Sequence, residues 1–315
     1  MKFTVGKYYR DEVSETLEFT LSNTTNAEAN AIRRVFLSNV QCLAIHNLQF
    51  TTCKCSFPEE MIKRRIENIH VLNTPDLVEG QVFTLDVKCP PEIAMYDVTT
   101  KHIKGLENNI NQSILITSIK PGQEIKLKFE LVKGSSFIHN KWSVVAGFDY
   151  YPTKELDLED ISASEEYQMS IETTNIISPI KILTDTCDIL INKLQSAKVK
   201  DDEHKLRITK IGDEKNVIII PNDHHTVAGM VTRRLLMREN DVYKAAYKVP
   251  DPLKPNSEIH IAGLSPLESY HEVIEELQEI FTKLKKQISG VGPNATKGGL
   301  PPPSESPGKK KGKKI

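Results

Sequence analysis

Cysteine is scarce in this chain of 315 residues: Cys42, Cys53, Cys55, Cys89 and Cys187, odd in number and scattered. That usage argues against a secreted disulfide framework and for a reducing compartment. Tryptophan occurs once, at Trp142. No apolar run approaches bilayer-spanning length, and the opening MKFTVGKYYRDEVSE lacks the apolar stretch of a signal peptide. The expectation is an intracellular protein with no membrane partner. Gly-rich phosphate loops, paired carboxylates at a tell-tale spacing and activated-nucleophile motifs are also missing, so the signatures of the common enzyme classes are absent. An excess of either charge is lacking too: 41 basic residues face 42 acidic ones. Residues 289–315 nevertheless hold six lysines against one glutamate, a surplus of five, which leaves the formal −1 as −6 on the rest.

The remaining composition, 39% hydrophobic and 26% charged, is that of a soluble globular protein, and the length suits two ordinary domains. Residues 289–315, rich in Gly, Pro, Ser and Lys, read as a disordered basic tail. Its KKKGKK run either touches nucleic acid or localises the chain, or is a solvated solubility tail. A polar stretch at 197–204 reads as an interdomain linker.

Before the linker, LEFTL alternates like a strand, and Thr25 with Glu28 makes a capping-box signal for a helix to about Asn39. Ala27, Ala31, Ile32, Val35 and Phe36 give that helix one buried stripe, with Arg33 and Arg34 on its flank. CLAIHNLQF, a long β-rich middle ending in VVAGFDYY, and YQMSIET follow as strands. Ser178 and Pro179 then open a long amphipathic helix striped by Ile180, Leu183, Cys187, Leu190, Ile191 and Leu194.

The second half repeats the plan. Strands near 206–211 and 216–220 precede a helix over 227–239, strands over 242–249 and 258–261, and a closing helix. Ser265, Pro266 and Glu268 supply its capping box, and Leu267, Tyr270, Ile274, Leu277, Phe281, Leu284 and Ile288 its near-heptad stripe. IRRVFLSN and TRRLLMRE align, with Arg33-Arg34 answering Arg233-Arg234. A small sheet cannot cover such a stripe alone, so packing the two striped helices together is the economical way to remove both from water. At roughly 25 cal/mol per Å², that burial supplies on the order of 10 kcal/mol before entropy. The fold class is therefore α+β: two similar dimerisation units form an intramolecular pseudo-dimer. The first unit (1–50 and 166–200) is interrupted by a β-rich insert (51–165), and the second covers 201–288.

Four stretches carry a family resemblance. SNTTNAEANAIRRVFLSNVQCLAI with EEMIKRRIENIHVL resembles the dimerisation signature of bacterial polymerase alpha, its D-type archaeal counterpart and the third-largest subunit of eukaryotic RNA polymerase II. GSSFIHNKWSVVAGFDYYP resembles a later motif of the same family, and YQMSIETTNIISPIKILTDTCDILINKL its returning strand and helix. DHHTVAGMVTRRLL and YKVPDPLKP are similar to the small partner, which is the L-type component in archaea and the eleventh subunit in eukaryotes. Where that partner family usually has Leu-Gly-Asn, this chain has Val227-Ala228-Gly229. Glu67 and His70 replace a common Gly and Pro of the larger family.

The resemblance implies a noncatalytic platform of a multisubunit DNA-directed RNA polymerase, binding the second-largest subunit and small subunits directly and the largest indirectly. DNA would be met only within the whole complex. It implies large-subunit contacts at Asn30, Arg33, Arg34, Glu60, Arg65, Lys141 and Trp142. A fused arrangement resembles polymerases of large cytoplasmic DNA viruses, which would place the chain in the viral factory or virion; a cellular chain would be nuclear. A free-standing dimerisation or nucleic-acid-binding protein, or a metal-dependent enzyme, are the competing classes.

The residues admit blander roles. Arg33 and Arg34, or Glu60 and Arg65, serve equally as solvated flank and local ion pairs. Asp223, His224 and His225 read as a capped turn more readily than as a metal site, and Trp142 as a core anchor of the insert. Many family members carry a zinc or iron–sulfur cluster in the insert, but Cys53, Cys55 and Cys89 leave a four-ligand site incomplete. No metal and no cofactor are expected.

Overall fold

The computed structural model describes residues 1–11, 14–154, 165–199, 207–211 and 215–291. Most of the expected linker and of the expected tail lies outside the described residues.

The first half opens with a hairpin, β1 (Lys2–Arg10) and β2 (Glu15–Thr24), followed by α1 (Asn26–Ser38). The capping box is formed: Thr25 accepts from the Glu28 amide, and the Glu28 carboxylate accepts from the Thr25 amide. β3 (Gln41–Lys54), α2 (Glu59–Glu67), β4 (Val82–Lys88), β5 (Tyr96–Thr99), β6 (Ile103–Lys104), β7 (Leu115–Ile119) and β8 (Glu124–Ser135) come next. β9 (Val145–Pro152), β10 (Glu165–Thr173) and α3 (Pro179–Ala197) complete it. The second half runs β11 (Ile208–Lys210), β12 (Lys215–Pro221), α4 (Val227–Leu236), β13 (Val242–Lys248), β14 (Asn256–Gly263) and α5 (Pro266–Ser289).

All described strand pairs are antiparallel. The sheet orders β1-β2-β10-β9 and β11-β12-β14-β13 are the same topology twice, each accompanied by a short and a long helix. One continuous core runs through both halves, from Phe19, Val35 and Leu190 to Val231, Ile259 and Phe281. The sheet β3-β8-β4-β6, the β5-β7 pair and α2 enclose a separate core around Leu85, Phe129 and Ile66.

Sheet membership moves the expected limits of the insert. β3 begins at Gln41 and pairs with β8, whereas β9 pairs with β10 in the first unit's sheet. The insert therefore starts about ten residues before 51 and ends before Val145 rather than at 165. Its helix α2, whose Ile62 and Ile66 face the insert core, was not anticipated within the β-rich middle. Trp142 is buried, but with the shared core rather than the insert's. Its ring lies against Gly134, where a Cβ would stand 2.5 Å from the indole, so that position excludes any side chain.

Both long helices start with proline at the first turn. Ser178 caps α3 by accepting from the Lys181 amide, but the expected capping box of α5 is not formed. The Ser265 hydroxyl makes no capping bond, and the helix starts instead on its carbonyl, which accepts from Ser269. α4 stops at Leu236 rather than 239, as Arg238 turns away to pair with Glu272 and Glu276.

Truncating Leu277, fully buried in the shared core, to alanine is expected to cost about 2–5 kcal/mol in urea unfolding, whereas exposed Leu264→Ala stays within about 0.5 kcal/mol.

Candidate functional site

The densest helix contact joins α3 to α5. Leu183, Cys187, Leu190 and Leu194 are buried there with Tyr270, Ile274, Leu277, Phe281 and Leu284. Ile180, Ile191 and Leu267 are only partly buried at the margin. Ile182, Thr186 and Val273 are buried although the expected stripes did not include them. The helices run antiparallel: Asp188 takes the Lys285 ammonium at 2.7 Å, and near the other end Lys198 meets Glu275 at 2.9 Å. The Tyr270 hydroxyl donates to the Ala197 carbonyl at 2.8 Å.

Arg207 closes the C-terminus of α3, donating to the carbonyls of Ser196, Ala197 and Lys198 while its Nε reaches Ile219 of β12. A cation at the negative end of a helix is favourable, and here it also ties the two halves. Burial raises the Cys187 thiol to about 12, so it is an inert packing group.

Above this seam, α1 and α4 exchange arginines. Arg34 donates from Nη2 to the His224 carbonyl at 2.8 Å, at the start of α4. Arg234 reaches back to Glu28 in the first turn of α1, with Nε and Nη2 each 2.6 Å from Oε1. Glu28 is 0% exposed, and its other oxygen accepts from the Thr25 amide and the Thr24 hydroxyl. Its lone pairs are therefore distributed between a helix cap and the other half's cation. Arg233 follows, 3.4 Å from Glu165, which also accepts from the Tyr167 hydroxyl.

Around the start of α4, the buried Asp223 carboxylate accepts from the amides of Val227 and Ala228. The His224 ring contacts the Lys254 carbonyl and the His225 ring the Tyr247 hydroxyl. The three residues make a capped turn, with His225 at φ 62°.

The expected large-subunit contacts fall into two groups. Asn30 and Arg33 lie on the outer flank of α1, where Asn30 accepts from Arg33 Nε and Nη2 and the guanidinium stands 5.8 Å from the Phe148 and Tyr150 rings. Glu60 and Arg65 are exposed on α2, with Arg65 donating to Ile116 and lying over Phe57. These four can meet another molecule.

Arg34, Lys141 and Trp142 are placed otherwise. Arg34 is committed to His224. Lys141 is inside: its side chain is 3% exposed, and its Nζ donates to the Ile45 carbonyl at 3.0 Å and to His46 Nδ1 at 2.6 Å. An ammonium has no acceptor, so His46 must receive at Nδ1 and carry its proton on Nε2. Glu67 stands 3.5 Å away and the Trp142 ring 4.6 Å. The Trp142 indole donates to Val132 at 2.9 Å. Direct contact through Lys141 or Trp142 is thus corrected by burial: they fasten β3 and α2 of the insert to the platform.

Sequence reasoning missed the reach of Glu28, read only as a cap, and Arg207 altogether. The arginine shortly after a striped helix was the one local sign of the latter. Among the described residues no group of three or more His, Cys, Asp or Glu is arranged for a metal ion. Cys53 and Cys55 do share a face, with their sulfurs 3.4 Å apart. Among the described residues, no helix is long and apolar enough to cross a membrane.

Residues 18–194 match the family profile of the RNA polymerase Rpb3/Rpb11 dimerisation domain. The chain is 28% identical over 187 residues to DNA-directed RNA polymerases I and III subunit RPAC1 of Mus musculus, which covers 47% of this chain and 54% of that protein. It is 25% identical over 195 residues to DNA-directed RNA polymerase subunit Rpo3 of Methanocaldococcus jannaschii, covering 61% and 94%. To DNA-directed RNA polymerase II subunit rpb3 of Dictyostelium discoideum it is 27% identical over 205 residues, covering 53% and 67%. The chain thus spans about half the length of the mouse relative and nearly all of the archaeal one.

Arg234→Met strands a buried carboxylate and should lower stability by about 3 kcal/mol, and a double-mutant cycle with Glu28→Gln should return a coupling above about 1 kcal/mol. Additive losses would contradict the exchange. Desolvation, aided by Lys63, holds the Lys141 ammonium below the ordinary lysine range against the pull of Glu67. The unfolded chain then binds that proton more tightly, so stability gained from this residue rises with pH from the lowered value to about 10.4. The stability difference between the wild type and Lys141→Met should move toward the wild type as pH rises toward about 10.4, and a flat difference would refute it.

Proposed function

Because the chain belongs to the RNA polymerase Rpb3/Rpb11 dimerisation-domain family, we propose that it is a noncatalytic assembly subunit of a multisubunit DNA-directed RNA polymerase. In this reading it supplies both halves of the alpha-like platform from one polypeptide. One observation carries it: two units of identical sheet order share a single core, and the family match covers the first of them. The second unit, 207–291, then takes the place of the small partner subunit, and the short connection makes the pairing intramolecular.

The second-largest subunit is the proposed direct partner, together with small subunits, and the largest subunit joins indirectly. Contact falls to Asn30 and Arg33 on α1 and to Glu60 and Arg65 on α2. Arginine suits such a face because its planar fork holds a carboxylate or carbonyls while its stem and plane stack on aromatics such as Phe148 and Tyr150. The complex would be a nucleotidyltransferase, whereas this chain contributes position. A fused platform fits a polymerase of a large cytoplasmic DNA virus, working in the cytoplasmic factory.

The test is co-purification of the tagged chain with the large subunits of its own polymerase. The wild type should bring them down, and Arg33→Glu combined with Glu60→Lys should weaken the association at least about tenfold without lowering the melting temperature. Arg34 is left intact because it holds the platform itself. A wild-type chain that comes down alone refutes the assignment.

A further inference from the structure

A cleft of about 620 Å³ opens where the insert meets the sheet of the first unit. The segment after α2 and the loop between β6 and β7 form one wall; Arg10 and Asp11 after β1 and the turn after β10 form the other. The volume falls within the range of about 300–1,000 Å³ usual for small-molecule sites, which favour junctions between domains. Its lining is of two kinds. Leu72, Ile110, Ile114 and Ile176 supply aliphatic surface, and asparagines from both walls supply side-chain amides. The function proposed above makes no use of it.

These amides are not balanced between donating and accepting. Asn68 commits its Nδ2 to the Arg64 carbonyl at 2.8 Å, and Asn109 commits its own to the Leu72 carbonyl at 3.4 Å and the Thr74 hydroxyl at 2.6 Å. A carbonyl can only accept, so those bonds fix the orientation of both amides and leave each Oδ1 as an acceptor without a partner among the described residues. Asn109 is only 7% exposed, which makes its oxygen a nearly buried one. In the opposite wall, Asn175 Oδ1 and Thr174 Oγ1 are buried, and among the described residues they too have no partner. Asn111 is turned the other way, its Oδ1 accepting from the Ser113 amide at 2.9 Å. Desolvation holds the His70 imidazole below its ordinary range, so the ring is neutral at pH 7 and offers one nitrogen as a further acceptor. The charges of Arg10 and Asp11 cancel, and Glu15, 3.1 Å from Arg10, adds a negative one.

We propose that this cleft binds a small aliphatic amine of the linear polyamine class. Its ammonium groups donate to the side-chain oxygens of Asn68, Asn109 and Asn175, and its methylene segments lie on the four aliphatic side chains. A wholly apolar ligand would leave those acceptors unmet, which is costly away from water. An anion such as a phosphate would meet Arg10 already paired with Glu15 and amide oxygens that repel it. A ligand touching both walls bridges the insert to the platform, beside the bond from the Asn73 amide to the Ile176 carbonyl at 3.1 Å. Binding would therefore hold the insert in its place on the sheet. The inference stands independently of the polymerase assignment.

The experiment titrates spermidine into the full chain, carbon-13 labelled at its Ile and Leu methyl groups, at about 0.15 M salt to screen loose attraction to surface acids. The methyl signals of Leu72, Ile110, Ile114 and Ile176 should shift together and saturate. Asn68 is exposed, so Asn68→Asp and Asn68→Lys should both fold, and each loses the same bond to Arg64. The added carboxylate should tighten binding at least about threefold and the added ammonium weaken it at least about tenfold. Equal affinity in the two variants, or shifts only at methyls elsewhere, overturns the proposal. A lysine side chain of another protein shares the ammonium chemistry, and Nα-acetyl-lysine methylamide stands in for it. This single amine should bind at least about tenfold more weakly than spermidine, which can reach both walls. Equal binding would make the occupant a lysine side chain and overturn the polyamine.

Discussion

Two helices carry more apolar surface than the sheets beside them can cover, and each hides that surface on the other. α3 and α5 run antiparallel over their length, with Leu190, Leu194, Leu277 and Phe281 removed from water between them. Each fully buried side chain of this kind contributes roughly 1.5–3 kcal/mol, so the pairing dominates the interactions between the halves. With the helices in register, the start of α4 comes beside Arg34 and the start of α1 beside Arg234. The arginine exchange is a consequence of that packing, and it fixes the register in turn: sliding one half by a turn would leave Glu28 buried without its cation. Because both units belong to one chain and share one core, their pairing is spared the entropy of bringing two molecules together.

The polar groups divide by depth. Inside lie Glu28, Asp223 and Lys141, each satisfied by several partners, and each joining segments that are distant in sequence. Lys141 in particular couples the insert to the platform through Ile45, His46 and Glu67. Toward the outside lie Arg33, half-buried against Phe148 and Tyr150, and the exposed Glu60 and Arg65, all placed to meet another surface. A rigid centre with separate outward faces is the arrangement expected of a part that holds others in place.

Most local signals hold because local chemistry sets them, although the capping box at Ser265 does not form and α2 carries no cap that would announce it. Thr25 with Glu28, Ser178 with Pro179, and the stripes of α3 and α5 each depend on residues three or four apart, and the fold class followed from them. The other differences depend on partners far along the chain. No pattern within VVAGFDYY tells that it pairs with β10 rather than with the insert, because an edge strand alternates in either sheet. Nor does the sequence around Lys141 announce burial, since a lysine is ordinarily exposed and only the His46 and Glu67 side chains make its interior position tolerable. Arg33 and Arg34 are neighbours of the same type, yet one faces outward and the other closes the internal seam. The difference is their offset of about 100° around the helix relative to a second unit whose position the residues of α1 do not encode.

The claim that the two striped helices pair within one molecule is tested most directly by zero-length carbodiimide coupling, which joins only carboxylates and amines in contact. Applied to a dilute solution of the full chain and followed by peptide mass mapping, it should link Asp188 to Lys285, 2.7 Å apart, in material that still runs at the mass of a single chain. A link found only in dimeric material, or none between these helices, would contradict the account.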